Sequence, residues 1–519
     1  MCGFAGLITL RAHLEHELLG LVQGMTAPIT HRGPDDAGAW VDAENGVALG
    51  FRRLAIIDLS PNGHQPMRSR SGRYVIVFNG EIYNHEALRH ALRAIGHQFR
   101  GTSDTEVALA AFEEWGIAAS LALFVGMFAM AVWDTRDHTL SLARDRIGKK
   151  PLFVAAQPGL VTFGSELKAL RAGPKFDASI DRDALASYLR YLYVPGPRSI
   201  FSGVRKLEPG HLLTITDVGS PLPSSVPFWS LDDAVANGQT GSRFDGSEED
   251  AVDEVERALR EAVTARMCAD VPLGAFLSGG VDSSTVVSLM QAESATAIRT
   301  FSVAFDNAEH NEAHHAAAVA RHLRTNHTEI MLTGRDALEV VPQLATIYDE
   351  PFADASQIPT YLICREARRH VTVVLSGDGG DEVFGGYNRY VYGERMVARL
   401  GRVPRFARRL VGAGIGSIGT HSWDRAYSTV APILPRALRH RLPGQKLHRL
   451  AHLMGQGSEA AMYRSLVSQW AHPERLVRGA RESVDAVDHA IGATVPRGLL
   501  SRMMLADQSS YLVEDQMTK

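Results

Sequence analysis

The chain opens with a region in which short apolar runs alternate with segments of helical periodicity. Apolar runs of strand length lie at residues 47–51, 74–78, 127–133 and 140–143. Between them, apolar residues recur at helical spacing in residues 86–95 and 104–115. Short apolar runs are typical of strands, whereas a 3.6-residue period is typical of helices. The pattern predicts a domain of stacked sheets and helices over residues 2–170.

A different pattern begins near residue 246. Helical segments at residues 249–267, 283–291 and 312–323 alternate with short apolar strands at residues 273–277, 300–304 and 371–375. Such alternation is typical of a parallel sheet covered by helices, so residues 246–519 are predicted to form a second, α/β domain. The turn-rich residues 171–245 are predicted to connect the two domains. Beyond about residue 389 the chain is basic and helical.

The composition and the net charge indicate which broad class of protein this chain belongs to. Hydrophobic residues make up 45% of the chain and charged residues 22%, as in ordinary globular proteins. The net charge of -4 favours neither nucleic acid nor an anionic membrane as a partner. The uncharged residues 117–133 approach the length of a membrane span, but Gly126 divides them into a helix-like and a strand-like part.

Three widely spaced cysteines argue against a disulfide framework and for a reducing compartment. Cys268 and Cys364 are predicted to be core residues. The N-terminus carries no basic segment followed by an apolar run, so a cytoplasmic protein is expected.

Cys2 directly follows the initiator Met1 in the sequence Met-Cys-Gly-Phe-Ala-Gly. Removal of Met1 would leave one residue with both a thiol and a free amine. An α-amine has a pKa of about 7.7 to 8.0, so it can accept the thiol proton near neutrality. Cys2 is therefore a candidate N-terminal nucleophile.

The segment Ser278-Gly279-Gly280-Val281-Asp282-Ser283-Ser284 follows a predicted strand and opens a predicted helix. Backbone N–H groups at a helix N-terminus form a cradle for phosphate, and Asp282 is suited to hold Mg²⁺. The segment lacks the Gly-Lys-Ser/Thr ending of a Walker loop. Residues 414–419 match a dinucleotide-binding fingerprint in letters only and are predicted to be a flexible connection.

Together these motifs resemble a known family. The segment at 278–284 looks like the pyrophosphate-binding loop of ATP pyrophosphatases. With Cys2 and the segments at residues 31–35, 79–84 and 376–382, the chain resembles glutamine-hydrolysing asparagine synthetase of the bacterial type. The resemblance implies a four-layer αββα N-terminal-nucleophile glutaminase domain followed by a parallel-sheet α/β ATP-pyrophosphatase domain with extra helices.

The resemblance also implies roles for residues of the first domain. Cys2 would attack the side-chain amide of glutamine and form a glutamyl thioester, releasing ammonia. Asn79 and Gly80 match the oxyanion hole of the family. Arg53 matches the arginine that binds the glutamine carboxylate, while Glu81 and Asp104 match the positions that hold its amino group. The residues after Arg53 complete the implied glutamine-binding set: Leu54, Ala55, Ile56 and Ile57.

In the second domain the resemblance implies that ATP adenylates aspartate, and that ammonia crossing between the domains converts the adenylate to asparagine. Asp282 and Asp381 look like the pair that carries Mg²⁺. Asp378 stands where many relatives have glutamate, at a position linked to formation of the acyl-adenylate. The implied ATP-binding residues are Leu277, Ser278, Gly279, Gly280, Asp282, Ser283, Ser284, Val303, Ser376 and Gly377.

The sequence leaves alternatives open. The same chemistry on another carboxylate, such as a sugar acid of a polysaccharide or a peptide natural product, fits the motifs as well, because the shorter Asp378 weakens the assignment of the acceptor. The chain ends at Lys519, before a further stretch normally found in the family. We therefore also consider a truncated relative with an impaired synthetase half, or a non-catalytic nucleotide-binding protein. A homodimer is left open.

Overall fold

The computed structural model describes residues 2–241, 244–305, 313–430, 443–481, 484–493 and 498–519. The strands of the first half, in chain order, are β1 (Gly3–Thr9), β2 (Asp36–Asp42), β3 (Val47–Arg53), β4 (Met67–Arg68), β5 (Tyr74–Ile82), β6 (Gly126–Asp134), β7 (Thr139–Arg144), β8 (Phe153–Gln157), β9 (Leu160–Gly164), β10 (Val204–Lys206), β11 (His211–Ile215) and β12 (Val226–Pro227). Its helices are α1 (Glu15–Thr26), α2 (His85–Ala94), α3 (Asp104–Trp115), α4 (Ile117–Leu123), α5 (Leu167–Arg171), α6 (Arg182–Tyr191) and α7 (Leu231–Thr240).

These strands form two antiparallel six-stranded sheets that pack face to face. The first sheet has the strand order β10-β8-β9-β1-β3-β2, and the second has the order β12-β11-β7-β6-β5-β4. Phe4 and Ile8 of β1 and Phe51 of β3 meet Val77 of β5 and Trp133 of β6 in the core between the sheets. Each of these side chains is 6% exposed or less.

Helices cover the outer face of each sheet. On the second sheet, Ile76 and Phe78 pack against Leu92 of α2 and Phe112 of α3. On the first sheet, Leu7 packs against Leu18 and Val22 of α1. Because both faces of β1 and of residues 74–78 of β5 are buried, these segments are apolar at nearly every position, and successive side chains alternate between the inner core and the helices. The predicted αββα sandwich is confirmed.

The predicted elements of this half agree closely with the structure. Helix α3 has the predicted bounds, and each predicted strand is present but two to four residues longer. The uncharged residues 117–133 form α4 and most of β6. Within residues 171–245, strands β10, β11 and β12 hydrogen-bond into the two sheets. The proposed division at residues 170 and 245 stays a prediction.

The second half contains a four-stranded parallel sheet. Its strands are β13 (Leu273–Phe276), β14 (Arg299–Phe305), β15 (Asn326–Leu332) and β16 (Val373–Leu375). The helices up to β16 are α8 (Glu248–Arg266), α9 (Val281–Glu293), α10 (Ala313–Leu323), α11 (Gly334–Val340), α12 (Leu344–Ile347) and α13 (Gln357–Ala367). The predicted parallel sheet is confirmed.

The order of this sheet is β15-β14-β13-β16, so the chain crosses from one edge to the other after β15. Ligands of open α/β sheets bind outside the carboxyl ends of the strands, where the strand order reverses. That point lies between β13 and β16, and the loops at residues 277–280 and 376–379 follow these two strands.

The described secondary-structure elements beyond β16 are all helical. These helices are α14 (Gly380–Phe384), α15 (Asn388–Gly401), α16 (Arg405–Gly416), α17 (Thr420–Val430), α18 (Pro443–Gly455), α19 (Glu459–Val467), α20 (Ala486–Gly492) and α21 (Leu499–Ser509), followed by a π-helical turn at Leu512–Gln516. Among the described helices, none has both the length and the apolar composition needed to traverse a bilayer.

Two sequence predictions are wrong. Gly414 and Gly416 belong to α16 rather than to a flexible connection, because Gly412 of this helix packs closely against the backbone of Ala451 in α18. Cys268 and Cys364 are exposed rather than buried in the core. An isolated apolar or thiol side chain says little about the face on which its element packs.

Candidate active sites

A cleft at the edge of the sandwich, which we call the Cys2 cleft, collects the predicted residues of the first half. Cys2 lies just before β1, Arg53 ends β3, and Asn79 to Glu81 lie on β5. The lining residues are Cys2, Arg53, Leu54, Ile56, Ile57, Gly63, Gln65, Phe78, Asn79, Gly80, Glu81, Ser103, Asp104, Thr105, Met127 and Lys150. Of the predicted set, Ala55 alone does not line this cleft; its N–H donates to Asp35 Oδ2 at 2.9 Å.

The Cys2 thiol is held by the loop that follows β3. The Leu54 N–H lies 3.4 Å from Sγ, and Arg32 Nε donates to the Cys2 carbonyl at 2.9 Å. Burial raises the pKa of the thiol above its ordinary value, and the contact with the Leu54 backbone opposes this only in part. The thiol is therefore protonated at neutral pH and needs a base before it can act as a nucleophile.

Asn79 brings an unpaired donor into the cleft. It is 1% exposed, and its Nδ2 has no hydrogen-bond partner among the described residues. A buried amide N–H without a partner costs about 1 to 3 kcal/mol. Such a group in a folded protein points to a ligand that satisfies it. Gly80 beside it faces Phe128 of β6, and a Cβ there would lie 2.2 Å from the Met127 carbonyl oxygen.

Arg53 organises the neighbouring loop while it lines the cleft. Its guanidinium donates to the carbonyls of Ser60, at 3.2 Å, and of Ile57 and Asp58. A Cβ at Gly63 would lie 1.8 Å from Arg53 Nη2, so a side chain at this position would displace the guanidinium. Five N–H donors are available on an arginine, so Arg53 can also bind a carboxylate.

Two buried carboxyl groups lie on the opposite wall. Asp104 Oδ2 accepts from the Ile82 N–H and Oδ1 from the Thr105 N–H, each at 2.9 Å. Burial raises the pKa of Asp104 and of Glu81, and for Glu81 the positive charge of Lys150 opposes this while Asp104 adds to it. Both carboxyl groups would be stabilised as anions by a cationic ligand.

Lys150 is a residue of this cleft that the sequence pattern does not predict. It is 4% exposed, and burial lowers its pKa to about 8. Gln65 was missed as well; its Oε1 accepts from the Phe78 N–H at 2.7 Å. Neither residue belongs to a periodic pattern or to a motif of the sequence analysis, so the sequence offered no signal for them.

A second cleft, which we call the Ser278 cleft, lies at the carboxyl ends of β13 and β16. Its volume of about 560 Å³ falls in the range of small-molecule sites. The lining residues are Phe276, Leu277, Ser278, Gly280, Val281, Asp282, Ser283, Phe301, Ser302, Val303, Phe305, Ala313, Ala316, Pro359, Thr360, Ile363, Ser376, Gly377, Asp378, Gly379, Asp381, Glu382, Tyr387 and Gln516.

The predicted phosphate loop forms one wall of this cleft. Ser283 closes the loop through Oγ, which accepts from the Ser278 N–H at 3.2 Å. Gly279 and Ser284 belong to the loop but do not line the cleft. Gly279 has a φ of +80°, and a Cβ there would lie 2.7 Å from the Ala316 nitrogen. The conformation and the close approach both require glycine.

Asp282 and Asp381 face the same space. Neither carboxylate has a hydrogen-bond or ion-pair partner within the described part of the chain. Burial and then the nearby charge of Asp381 raise the pKa of Asp282. A Cβ at Gly380 would lie 2.8 Å from Asp282 Oδ2, so the glycine leaves room for this carboxylate. Two unpaired carboxylates with hard oxygen donors fit Mg²⁺.

Two further acidic residues line the Ser278 cleft. Asp378 is exposed, and its Oδ2 accepts from Ser376 Oγ at 2.7 Å. Glu382 is 1% exposed, and its Oε1 accepts from Tyr387 Oη at 2.7 Å. The motif at residues 376–382 places Asp378, whereas nothing in the sequence predicts that Tyr387 reaches the cleft.

A third cavity lies between the two halves of the chain. Arg32, Glu166 and Lys206 line it from the first half, and Asp349 and Glu350 line it from the second. Ion pairs join the two halves of the chain here: Lys206 Nζ lies 2.8 Å from Glu350 Oε2, and Lys168 Nζ, which does not line the cavity, lies 3.1 Å from Asp349 Oδ1. Lys206 also contacts Glu514 Oε2 at 2.7 Å. Burial opposes the charge on Lys206, but these two carboxylates raise its pKa.

Comparison with known proteins agrees with the two-part fold. A glutamine amidotransferase domain model matches residues 1–229, and the asparagine synthase family model matches residues 254–519. The chain is 38% identical over 396 residues to asparagine synthetase [glutamine-hydrolyzing] 1 of Bacillus subtilis, a match that covers 75% of this chain and 59% of that protein. It is 33% identical over 407 residues to asparagine synthetase [glutamine-hydrolyzing] 3 of the same organism, covering 75% and 63%.

The chain thus spans about three fifths of the length of these relatives. Among solved structures, the glutamine phosphoribosylpyrophosphate amidotransferase of B. subtilis, complexed with ADP and GMP, aligns with a TM-score of 0.33 and 15% identity. That alignment covers 64% of this chain and 81% of the other.

Proposed function

The chain belongs to the asparagine synthase family, and from this premise we propose that it is a glutamine-hydrolysing ligase that converts aspartate to asparagine at the expense of ATP. In this proposal the Cys2 cleft releases ammonia from glutamine, and the Ser278 cleft activates the acid that receives it. The relatives at 33% and 38% identity carry the name of this activity and support the assignment.

The observation that carries the proposal is the unpaired Asn79 Nδ2 in the same cleft as the Cys2 thiol. Attack of a thiolate on an amide carbonyl places a negative charge on the carbonyl oxygen. A fixed, desolvated donor stabilises this charge without reorganisation, which is the main requirement of an oxyanion hole. We assign the second donor to the backbone of Gly80.

The chemistry at Cys2 then proceeds in two steps. The α-amine left by removal of Met1 takes the thiol proton, and Sγ attacks the side-chain carbonyl of glutamine. The carbon–nitrogen bond breaks, the nitrogen takes up a proton and leaves as ammonia, and a glutamyl thioester remains. Water then hydrolyses the thioester to glutamate and frees the thiol. The raised pKa of Cys2 supports the need for such a base.

The remaining residues of the cleft hold the two ends of glutamine. Arg53 binds the α-carboxylate through donors not used by the loop carbonyls. Glu81 and Asp104 face the α-ammonium, whose charge would offset the desolvation that raises their pKa values. Leu54, Ile56 and Ile57 form the wall between these ends.

In the Ser278 cleft, the backbone of residues 278–284 cradles the phosphates of ATP at the N-terminus of α9. Leu277 and Val303 border the nucleotide, with Ser376 and Gly377 on the other side. The carboxylate of aspartate attacks the α-phosphorus, so that an acyl–oxygen–phosphorus bond forms and pyrophosphate leaves. Ammonia then attacks the acyl carbon, AMP leaves, and the nitrogen loses a proton. Asp378 is assigned to the adenylation step.

Asp282 and Asp381 would hold Mg²⁺, which when bound neutralises charge on the departing pyrophosphate. The third cavity offers ammonia a route between the two sites. Lys206, which lines this cavity, is held in place by its ion pairs with Glu350 and Glu514. The cavity is lined by residues of both halves of the chain, which supports this part of the proposal.

The experiment that tests the function incubates the protein with glutamine, ATP, Mg²⁺ and aspartate, and measures glutamate, AMP, pyrophosphate and asparagine. We expect all four products in equal amounts. Parallel reactions replace aspartate with other carboxylic acids. AMP formed only with another acid would retain the ligase chemistry and reject aspartate as the acceptor. Glutamate without AMP under all conditions would reject the ligase assignment.

A Cys2→Ala variant separates the two sites. It should lose glutamine hydrolysis but still form asparagine from added ammonium, because the Ser278 cleft is unchanged. Cys364→Ala is the matched control, since this thiol is exposed and does not line the Cys2 cleft, and it should hydrolyse glutamine at the wild-type rate. Glutamine hydrolysis by Cys2→Ala would reject Cys2 as the nucleophile.

A further inference from the structure

The loop at residues 54–60, which forms one wall of the Cys2 cleft, is built around a strained residue. Asp58 has a φ of +59°, in the left-handed region that side chains other than glycine rarely adopt. Its buried carboxylate accepts from the Thr102 N–H at 2.8 Å and from the Ser60 N–H at 3.1 Å. A conformation of this kind persists only where surrounding contacts determine it.

One of these contacts comes from the other half of the chain. The Asp58 N–H donates to Asp270 Oδ2 at 2.8 Å, and the Asp270 N–H donates to the Ile56 carbonyl at 2.9 Å. Asp270 lies 212 residues further along the chain. The side chain and the backbone of one residue therefore hold the loop at two successive points.

The same loop sets the geometry of the Cys2 cleft. Its first residue, Leu54, contacts Cys2 Sγ, and its carbonyls at Ile57, Asp58 and Ser60 accept from Arg53. Rotation of the Asp58 backbone out of the left-handed region would move two of these carbonyls. Arg53, assigned above to the glutamine carboxylate, would then lose its orientation.

Asp270 is also close in sequence to the phosphate loop of the Ser278 cleft. It lies three residues before β13, and β13 leads directly to the phosphate loop at Ser278. A strand advances about 3.3 Å per residue and is stiff along its length. One short strand thus joins the segment that holds the glutamine loop to the segment that holds the nucleotide.

We propose that Asp270, from the nucleotide-binding half, is a positioning residue of the glutaminase site: it holds the loop at residues 54–60 in the shape that receives glutamine. This inference rests on the proposed function of the Cys2 cleft. Asp270 does not line the cleft, so it acts through Asp58 and Arg53 rather than on the substrate.

The exposure of the Asp270 side chain distinguishes a positioning role from a purely structural role. Asp270 is exposed, so its replacement leaves no buried charge and should change the stability of the protein little. Asp58 is 4% exposed, and loss of its acceptor frees the strained loop locally. The effect should therefore fall on glutamine binding rather than on folding.

The experiment compares Asp270→Ala and Asp270→Asn with the wild-type chain. Asn retains an oxygen that can accept from the Asp58 N–H, whereas Ala does not. Asp253→Ala, an exposed aspartate of α8 without a described partner, is the control. Initial rates of glutamine hydrolysis give kcat and KM, ammonium-dependent asparagine synthesis reports on the Ser278 cleft, and thermal unfolding reports on stability.

We expect Asp270→Ala to raise the KM for glutamine about fivefold with kcat changed less than twofold, which corresponds to about 1 kcal/mol at 1.4 kcal/mol per factor of ten. Asp270→Asn should return KM to within about twofold of the wild type. Ammonium-dependent synthesis and the unfolding temperature should not change in any of the variants.

A wild-type KM in Asp270→Ala would overturn the inference. So would a joint loss of glutamine and ammonium activities together with a lower unfolding temperature, because that pattern indicates a structural role. If the wild-type chain hydrolyses no glutamine, the proposed function fails instead. Hydrogen exchange then decides the inference: faster exchange of the Asp58 amide in Asp270→Ala than in Asp253→Ala supports it, and equal exchange overturns it.

Discussion

The unpaired donor of Asn79 gives the sharpest test of the Cys2 cleft, because its removal should affect activity and stability in opposite ways. Asn79→Ala deletes an amide that stabilises the developing oxyanion. Loss of one such donor costs about 2.7 to 4 kcal/mol of transition-state stabilisation, a fall in kcat of about 10² to 10³. The KM for glutamine should change little, because the donor acts on charge that develops after binding.

The stability change follows from the same observation. A buried amide donor without a partner costs the folded state about 1 to 3 kcal/mol, and Asn79→Ala removes that cost. Loss of a few packing contacts offsets part of this gain. We therefore expect the unfolding temperature of Asn79→Ala to equal or exceed that of the wild type.

Asn84→Ala serves as a control with the reverse pattern. Asn84 follows β5 but does not line the Cys2 cleft; its Oδ1 accepts from the Val125 N–H at 2.9 Å, and its Nδ2 donates to the Leu123 carbonyl at 3.0 Å. Its removal should lower the unfolding temperature and leave kcat unchanged. Steady-state glutamate release and a thermal scan measure both variants. A kcat of Asn79→Ala within threefold of the wild type would refute the oxyanion assignment.

Three further predictions concern Glu166 at the third cavity, Gly279 of the phosphate loop and Asp282 of the proposed Mg²⁺ site. Glu166→Gln should lower the free energy of unfolding by about 3 kcal/mol at pH 7, because it breaks partly buried ion pairs with Arg32 and Lys168. Burial acts against the charge of Glu166, but His31, Arg32 and Lys168 outweigh it and lower the pKa of the carboxyl below its ordinary value of 4.5. The contribution of Glu166 to the free energy of unfolding is present above pH 4.5 and is lost as the pH falls toward the lowered pKa. Urea unfolding should therefore show a smaller difference in stability between Glu166→Gln and the wild type at pH 3 than at pH 7. An equal difference at the two pH values would contradict this prediction. Gly279→Ala should abolish AMP formation and preserve glutamine hydrolysis, because the added Cβ meets the Ala316 backbone at a positive φ. Gly334→Ala is the control and should behave as the wild type, since no atom lies within 4 Å of its added Cβ. AMP formation by Gly279→Ala at the wild-type rate would show that the reaction does not require this loop conformation. Asp282→Ala should reduce AMP formation about 100-fold and weaken its dependence on Mg²⁺, while glutamine hydrolysis stays intact. Asp253→Ala is again the control. An unchanged Mg²⁺ titration of AMP formation in Asp282→Ala would reject Asp282 as a metal ligand.

The sequence predicted the elements of the fold better than the contacts between them. The bounds of α3 and the positions of β3, β5, β6 and β13 followed from apolar periodicity, because that pattern records which faces of an element are buried. The glycines and aspartate at residues 278–284 predicted a loop at a helix N-terminus, because this signal also lies within a few neighbouring residues. The flexible connection predicted at residues 414–419 was wrong for residues 414–416, since the packing of α16 on α18 overrides the low helix propensity of Gly414 and Gly416.

By itself, the sequence determined the order of the elements, the two-part α/β organisation and the motifs that fall within a few residues of one another. The tertiary structure alone decided that Lys150 and Gln65 share a cleft with Cys2 and that Asp270 reaches Asp58. These pairs are brought together by strand order within a sheet and by docking of one half of the chain on the other. Neither process leaves a periodic trace along the chain, because local spacing encodes the conformation of a segment and its buried face but not the surface that the face meets.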